Sequence, residues 1–246
     1  MIHVLVWAED RPLDFAREKM RALYPHGVEG AIAACLTEQP DLAPVTATMA
    51  DPQQGLSPEV LAQTDVLVFW SHKHWSELTD EAALRIRQRV LEGMGIIFLH
   101  SAHASKPFAL LLGTRTQALR WREADERQRY WILAPGHPIV QGLEGEYFEI
   151  PQDETYGEYF EIPRPDEQIF ITSAQGGEIF RSGNCWTRGR GRIFYFQAGH
   201  ETYPIYYQPE VRRVLVNAVR WAAPNAPQGT WPQWAREAAA PGWEKP

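Results

Sequence analysis

The chain has 246 residues, 44% of them hydrophobic, enough to bury one sizeable core and better suited to one large α/β domain than to two small ones. Its formal net charge of −7 comes from interspersed acids and bases, which argues against nucleic-acid and membrane partners and favours a small molecule. The start MIHVLVWAED lacks a basic flank and a cleavage site, no run approaches the ~20 apolar residues that span a bilayer, and two cysteines require no oxidising compartment, so a cytoplasmic address is expected.

The first apolar run, HVLVW at 3–7, reads as a buried parallel strand, and FAREKMRALY and VEGAIAACLTEQ read as helices after it. VTATMA at 45–50 is a weaker strand. SPEVLAQ is a helix with Ser57 as N-cap and Pro58 at its first position. DVLVFW at 65–70 is the next buried strand. A helix capped by Thr79 then runs through AALRIRQRVLEGMG and stops at glycine, before the strand GIIFLH at 95–100.

From Gln117 to Ile193 the runs ALRWRE, RYWILA, EYFEIP, EQIFITS and GEIFRSG are short, alternating and broken by Pro and Gly, as in antiparallel strands. EYFEIP occurs at 146–151 and again at 158–163, which paired strands or coincidence would explain. GRIFYFQAGHE resumes the sheet and PEVRRVLVNAVRWAA closes it with an amphipathic helix. The expected fold is a three-layer α/β/α sandwich around a mostly parallel sheet, with antiparallel excursions in the middle segment. One domain is expected over 1–223. An irregular Pro- and Trp-rich tail follows over 224–246, and its tryptophans suggest a homo-oligomer. Cys35 falls in an apolar helix, whereas the Gly-rich surroundings of Cys185 leave it open to exposure.

Loops leaving the carboxyl ends of parallel strands converge on one edge, where ligands bind. Here HVLVW ends in Glu9 and Asp10, DVLVFW in His72 and His74, GIIFL in His100, Ser101 and His103, and RIFYFQA in His200 and Glu201. Five of the eight histidines thus follow strands. His26 and His74 read as loop histidines, His3 as structural and His137 as a turn cap before proline. His100 and His103 share a face if the chain turns helical at Ser101, and with His72, His200 or a carboxylate they would make a zinc-type ligand set. Alternatively, Ser101 at the strand-to-helix turn could be a nucleophile with His200 as its base, although the glycines of a G-x-S-x-G elbow are missing. PQDETYGEYF adds Asp153, Glu154, Tyr156 and Glu158, of which Glu154 suits a general base or metal ligand.

FLHSAH after a strand, then GHPIVQGL, DETY and a strand ending AGHETYP resemble the ThuA-like proteins, associated with trehalose utilisation in bacteria and similar in fold to class I glutamine amidotransferases. The resemblance runs from Met1 to near Trp221. It implies that His100 and Ser101 occupy the turn where an amidotransferase carries its cysteine nucleophile, and that His200 takes the place of its catalytic histidine. With serine on that turn, glutaminase activity is not expected. The family's motifs map to His100, Ser101, His137, Glu154, Tyr156 and His200, while His72 and His103 look like features of a narrower subgroup. That pair raises a metal. The resemblance further implies a carbohydrate substrate, such as an oxidised disaccharide or keto-sugar.

The resulting expectation is an enzyme in which His72, His103 and His200 bind a divalent metal, zinc first, with Glu154 or Glu158 as a further ligand or general base. His100 and Ser101 would orient substrate hydroxyls or stabilise an oxyanion, and Tyr156, Glu158 and His137 would contact the substrate. Hydrolysis and proton-transfer isomerisation both use such a site. The rival expectations are a metal-free Ser101–His200 hydrolase and a non-catalytic sugar-binding module.

Overall fold

The computed structural model describes residues 1–10, 17–114 and 119–224. The start of the first expected helix and the Trp-rich tail, with the homo-oligomer inferred from it, lie outside these residues. In chain order the elements are β1 (Ile2–Ala8), α1 (Arg17–Leu23), α2 (Gly27–Thr37), β2 (Leu42–Thr48), α3 (Pro58–Ala62), β3 (Val66–Ser71), α4 (Asp80–Glu92) and β4 (Gly95–His100). They continue with α5 (Lys106–Leu112), β5 (Arg120–Ile132), β6 (Tyr147–Gly157), β7 (Glu167–Ala174), β8 (Ile179–Arg188), β9 (Gly191–Phe196) and α6 (Pro209–Ala222). The expected caps form: Ser57 Oγ accepts from Val60 N at 3.3 Å and Thr79 Oγ1 from Ala82 N at 3.2 Å.

All nine strands join one sheet in the order β2-β1-β3-β4-β9-β8-β7-β5-β6. The first five run parallel and the pairs from β9 to β6 are antiparallel, so the middle segment extends the parallel sheet instead of standing apart from it. Because side chains alternate along a strand, each apolar run feeds two cores. Val4, Val68 and Leu99 pack with Ile32 of α2 and Val214 of α6 on one face. Leu5, Phe69 and Phe98 pack with Ile86 of α4 and Phe108 of α5 on the other. This is the expected three-layer α/β/α sandwich. The two edge strands each carry a proline, Pro44 in β2 and Pro151 in β6, which cannot donate to a further ladder. No helix among the described residues is long and apolar enough to cross a membrane.

Three local readings are corrected. Residues 120–123 and 129–132, from the runs ALRWRE and RYWILA, belong to one long strand, β5, interrupted by register shifts around Glu126 with Asp125 at φ 51°. The second EYFEIP is not a strand: Glu158 turns to Arg181, with Oε1–Nε and Oε2–Nη2 distances of 2.9 Å, and Phe160 is buried in the second core. Coincidence, not pairing, explains the repeat. Cys185 is buried, since β8 lies inside the sheet between β7 and β9.

Candidate functional site

Three parallel strands deliver histidines to the same edge. His72 follows β3, His100 ends β4 in register with Ser71, and His200 follows β9. His100 sits at φ 55°, ψ −125°, a strained conformation for a residue with a Cβ. The strand-to-turn strain that often marks a nucleophile is therefore held at His100, one residue before Ser101.

The fourth group comes from the antiparallel half. β6 is at the far edge of the sheet, yet its end reaches the turn after β9 through Asp153, whose carboxylate accepts from Gly199 N and His200 N at 3.2 Å and from Glu154 N at 2.8 Å. This bond set fixes Glu154 beside the histidines. One ligand atom from each of His72, His100, Glu154 and His200 lies within 4.8 Å of the others, and all four residues are buried.

Buried charge at the site is paired. Burial works against ionisation of Glu154, but His100, with Nε2 at 3.2 Å from Oε2, outweighs it and holds the carboxyl down to about 2. His100 is raised in turn, because Glu154 overcomes the same burial penalty. Glu201 is likewise held to about 2 despite burial, by His72 Nδ1 at 2.8 Å from Oε1. Burial pushes His200 down to about 3 against the pull of Glu201. Its Nδ1 accepts from Thr202 N at 3.2 Å, so in the metal-free protein the proton of the neutral ring is on Nε2, 3.1 Å from Glu123 Oε1, and a cation would take Nε2 in place of that proton. Burial also lifts Asp153 to about 7.

The donor set suits a divalent cation. The Nε2 atom of His72 is buried without a hydrogen-bond partner. The Nδ1 of His100 is 3.3 Å from the Gln197 carbonyl, which only accepts, so the Nε2 of a neutral His100 would turn its lone pair on the Glu154 carboxylate. That contact requires a proton or a cation between the two. Imidazole nitrogens with one carboxylate are ligands that zinc and similar ions take.

Ser101 Oγ lies 2.5 Å from the Tyr156 hydroxyl, which is 3.4 Å from both His100 nitrogens. Burial raises Tyr156 well above its ordinary value, so it keeps its proton. A cavity of about 350 Å³ opens here, lined by Ser101, Tyr156, Glu154 and His72 and flanked by Trp75, Trp121 and Lys73. Trp121 is 58% exposed, with Lys73 Nζ 4.7 Å from its ring centroid.

The other expected site residues stand outside the group of four, although His103 still lines the cavity. His103 is outside the group of four: its ring packs edge-on against Tyr156, Phe160 and Tyr195. The short turn it occupies, Ser101–Ala104, starts from the strained His100, so the His-x-x-His spacing does not set both rings on one helical face. Glu158 does not line the cavity and is spent on Arg181, whose hydrogen bonds outweigh burial and keep its carboxyl below the usual range. His137 caps the turn Pro138–Val140 by accepting from Ile139 N at 3.2 Å and packs against Trp221. Two acids that sequence reasoning left without a role, Glu9 and Glu201, hold the His72 loop and ring. Glu9 accepts from Ser71 Oγ, Lys73 N and His74 N at 2.7, 2.8 and 3.1 Å. Their place just after strands was the available signal.

His137 carries a stability prediction. Burial, with Arg192, pushes it down to about 4, so below its ordinary value the unfolded chain takes up a proton that the folded one refuses. Stability is lost as pH falls from about 6.5 toward 4, at up to about 1.4 kcal/mol per pH unit for this one proton. His137→Asn preserves the cap acceptor and is expected to remove that slope, as read from urea midpoints at pH 4.5 and 6.5.

The ThuA family model, described as trehalose utilisation, matches residues 3–222. No curated protein matches the chain. Among solved structures it is similar to a putative ThuA-like protein of Bacteroides uniformis, at TM-score 0.63 and 16% identity over 93% of this chain and 94% of that one. A putative ThuA-like protein of Parabacteroides merdae gives 0.61 and 12% over 94% and 97%. The glutaminase domain of Trypanosoma brucei CTPS with bound acivicin gives 0.50 and 10% over 94% and 98%. At these identities the likeness is one of fold. The strand and helix order, the histidine-bearing strand ends and the match over nearly the whole described chain agree: this protein belongs to the ThuA, or trehalose utilisation, family.

Proposed function

We propose that this protein is a metal-dependent enzyme of carbohydrate metabolism that moves a proton on a sugar substrate without a covalent serine intermediate. The observation that carries the reading is the convergence of His72, His100, His200 and Glu154 on one buried volume, with the His72 Nε2 buried and without a hydrogen-bond partner. These four residues would hold the ion, zinc or a similar divalent cation, and when bound it would supply Lewis-acid polarisation of a substrate oxygen.

The remaining steps belong to side chains. Trp75 and Trp121 offer aromatic faces at the cavity mouth on which the apolar face of a sugar ring can stack. Tyr156 retains its proton and donates it, through its own hydroxyl or that of Ser101, to a substrate oxygen in the cavity. Glu154, a carboxylate that lines the cavity, would use the oxygen not bound to the ion to accept the proton that leaves the substrate. The volume suits a ligand of sugar size, given that small-molecule pockets start at about 300 Å³.

The Ser101–His200 hydrolase lacks its defining contact, because Ser101 Oγ bonds the Tyr156 hydroxyl and not His200. Neither cysteine is at the turn, with Cys35 in α2 and Cys185 in β8, consistent with an activity other than glutamine hydrolysis.

The test is metal analysis of protein purified without an affinity tag, followed by chelation, reloading and NMR assay on trehalose and its keto derivatives. About one equivalent of metal, and turnover that disappears on chelation and returns on reloading, are expected. A native protein that binds no divalent ion and turns over sugar regardless of chelator would overturn the reading.

A further inference from the structure

Resting on the proposed metal site, the geometry points to Glu201 as the positioning residue that locks His72 in the Nδ1-protonated tautomer and so aims a bare Nε2 at the volume shared with His100, Glu154 and His200. The contact is short and dry: His72 Nδ1 lies 2.8 Å from Glu201 Oε1, with side-chain exposures of 4% and 2%. A carboxylate can only accept, so the hydrogen is on Nδ1 and the Nε2 of the neutral ring carries the lone pair. That Nε2 has no other partner and no solvent contact.

The placement of the loop and the state of the ring are secured by different acids. Glu9, from the end of β1, binds the backbone of Lys73 and His74 and so places the loop. Glu201, from the turn after β9, touches only the imidazole of that loop. Its second oxygen is 3.8 Å from His200 Nδ1, so one carboxylate faces two of the four candidate ligands. A partner of this kind raises ligand basicity and fixes ring orientation, and its loss typically weakens metal binding 10- to 100-fold. Without Glu201 the proton can move to Nε2, where it would block the coordinating atom while leaving the loop in place.

The test compares wild type, Glu201→Gln and Glu201→Asp as full-length chains. Long-range ¹⁵N–¹H spectra of the metal-free proteins read the His72 tautomer, and competition with a chromogenic chelator reads zinc affinity. The wild type is expected to show His72 protonated at Nδ1. Glu201→Gln, whose amide can donate as well as accept, is expected to show Nε2–H signal and a 10- to 100-fold loss of zinc affinity. Glu201→Asp, which remains acceptor-only, is expected to restore most of the Nδ1–H population even should the Gln variant fold poorly. An Nε2-protonated His72 in the wild type, or an unchanged tautomer in Glu201→Gln, overturns the assignment. Failure of the wild type to take up zinc would sink the metal reading alone, since the tautomer is read without metal.

Discussion

His72→Asn is expected to lower zinc affinity roughly 10²- to 10³-fold and to abolish metal-dependent turnover, while the metal-free protein melts close to the wild type. Asparagine places its Nδ2 near where the imidazole holds Nδ1, so it can still donate to Glu201 and leaves no buried carboxylate unpaired. It has no atom at the position of Nε2. The deletion is therefore confined to the one ring nitrogen that is buried without a hydrogen-bond partner. Structural zinc sites bind with about 10–16 kcal/mol apparent free energy, so one ligand of four is worth about 3–4 kcal/mol, which is the fold-change given.

His103→Ala is the contrasting variant. Its ring packs on Tyr156, Phe160 and Tyr195, so the variant is expected to lose packing energy and retain full metal stoichiometry. Dialysis followed by elemental analysis checks both variants. Equal metal loss in the two, or none in His72→Asn, would show that the four residues are not the ligands.

The contrast also shows what the sequence could and could not reveal. His72, His100 and His200 were legible because each follows a run such as DVLVFW or GIIFL, whose apolar continuity marks a strand buried on both faces. Strand ends in a parallel sheet share an edge whatever their separation in sequence. His103 was misplaced by a helical spacing argument, because nothing in FLHSAH announces that His100 takes a positive φ and redirects the turn. Glu154 could be named from DETY but not placed, since it arrives from an antiparallel strand at the opposite edge of the sheet. The roles of Glu201 and Glu9 were hidden for the same reason: both meet the His72 loop only through the pairing of distant strand ends, for which no local pattern exists. α5 was missed because seven residues with Pro107 in the first turn give too little periodicity to read.

Asp153→Ala is expected to cost about 3–5 kcal/mol of stability, the larger of the two structural effects foreseen here, and to loosen the metal site with it. The side chain is fully buried and satisfies three backbone N–H groups, those of Glu154, Gly199 and His200. Alanine leaves all three without an acceptor, at about 1–3 kcal/mol for each buried donor, offset in part because a buried carboxylate no longer has to be desolvated. Those bonds are what tie the end of β6 to the turn after β9, so their loss frees Glu154 from His200 and zinc affinity is expected to fall as well.

Asp153→Asn separates the two contributions. Burial raises the Asp153 carboxyl to about 7, so near neutral pH much of the wild-type population already carries an uncharged group at this position. The asparagine oxygen can serve Glu154 N and His200 N as Oδ1 does, and only the Gly199 N–H meets an amide nitrogen instead of an acceptor. A loss of about 1–2 kcal/mol and near-normal zinc uptake are therefore expected for this variant. Urea denaturation of both proteins decides the matter: if Asp153→Ala is as stable as Asp153→Asn, the three bonds do not hold the site together, and the arrival of Glu154 among the histidines needs another cause.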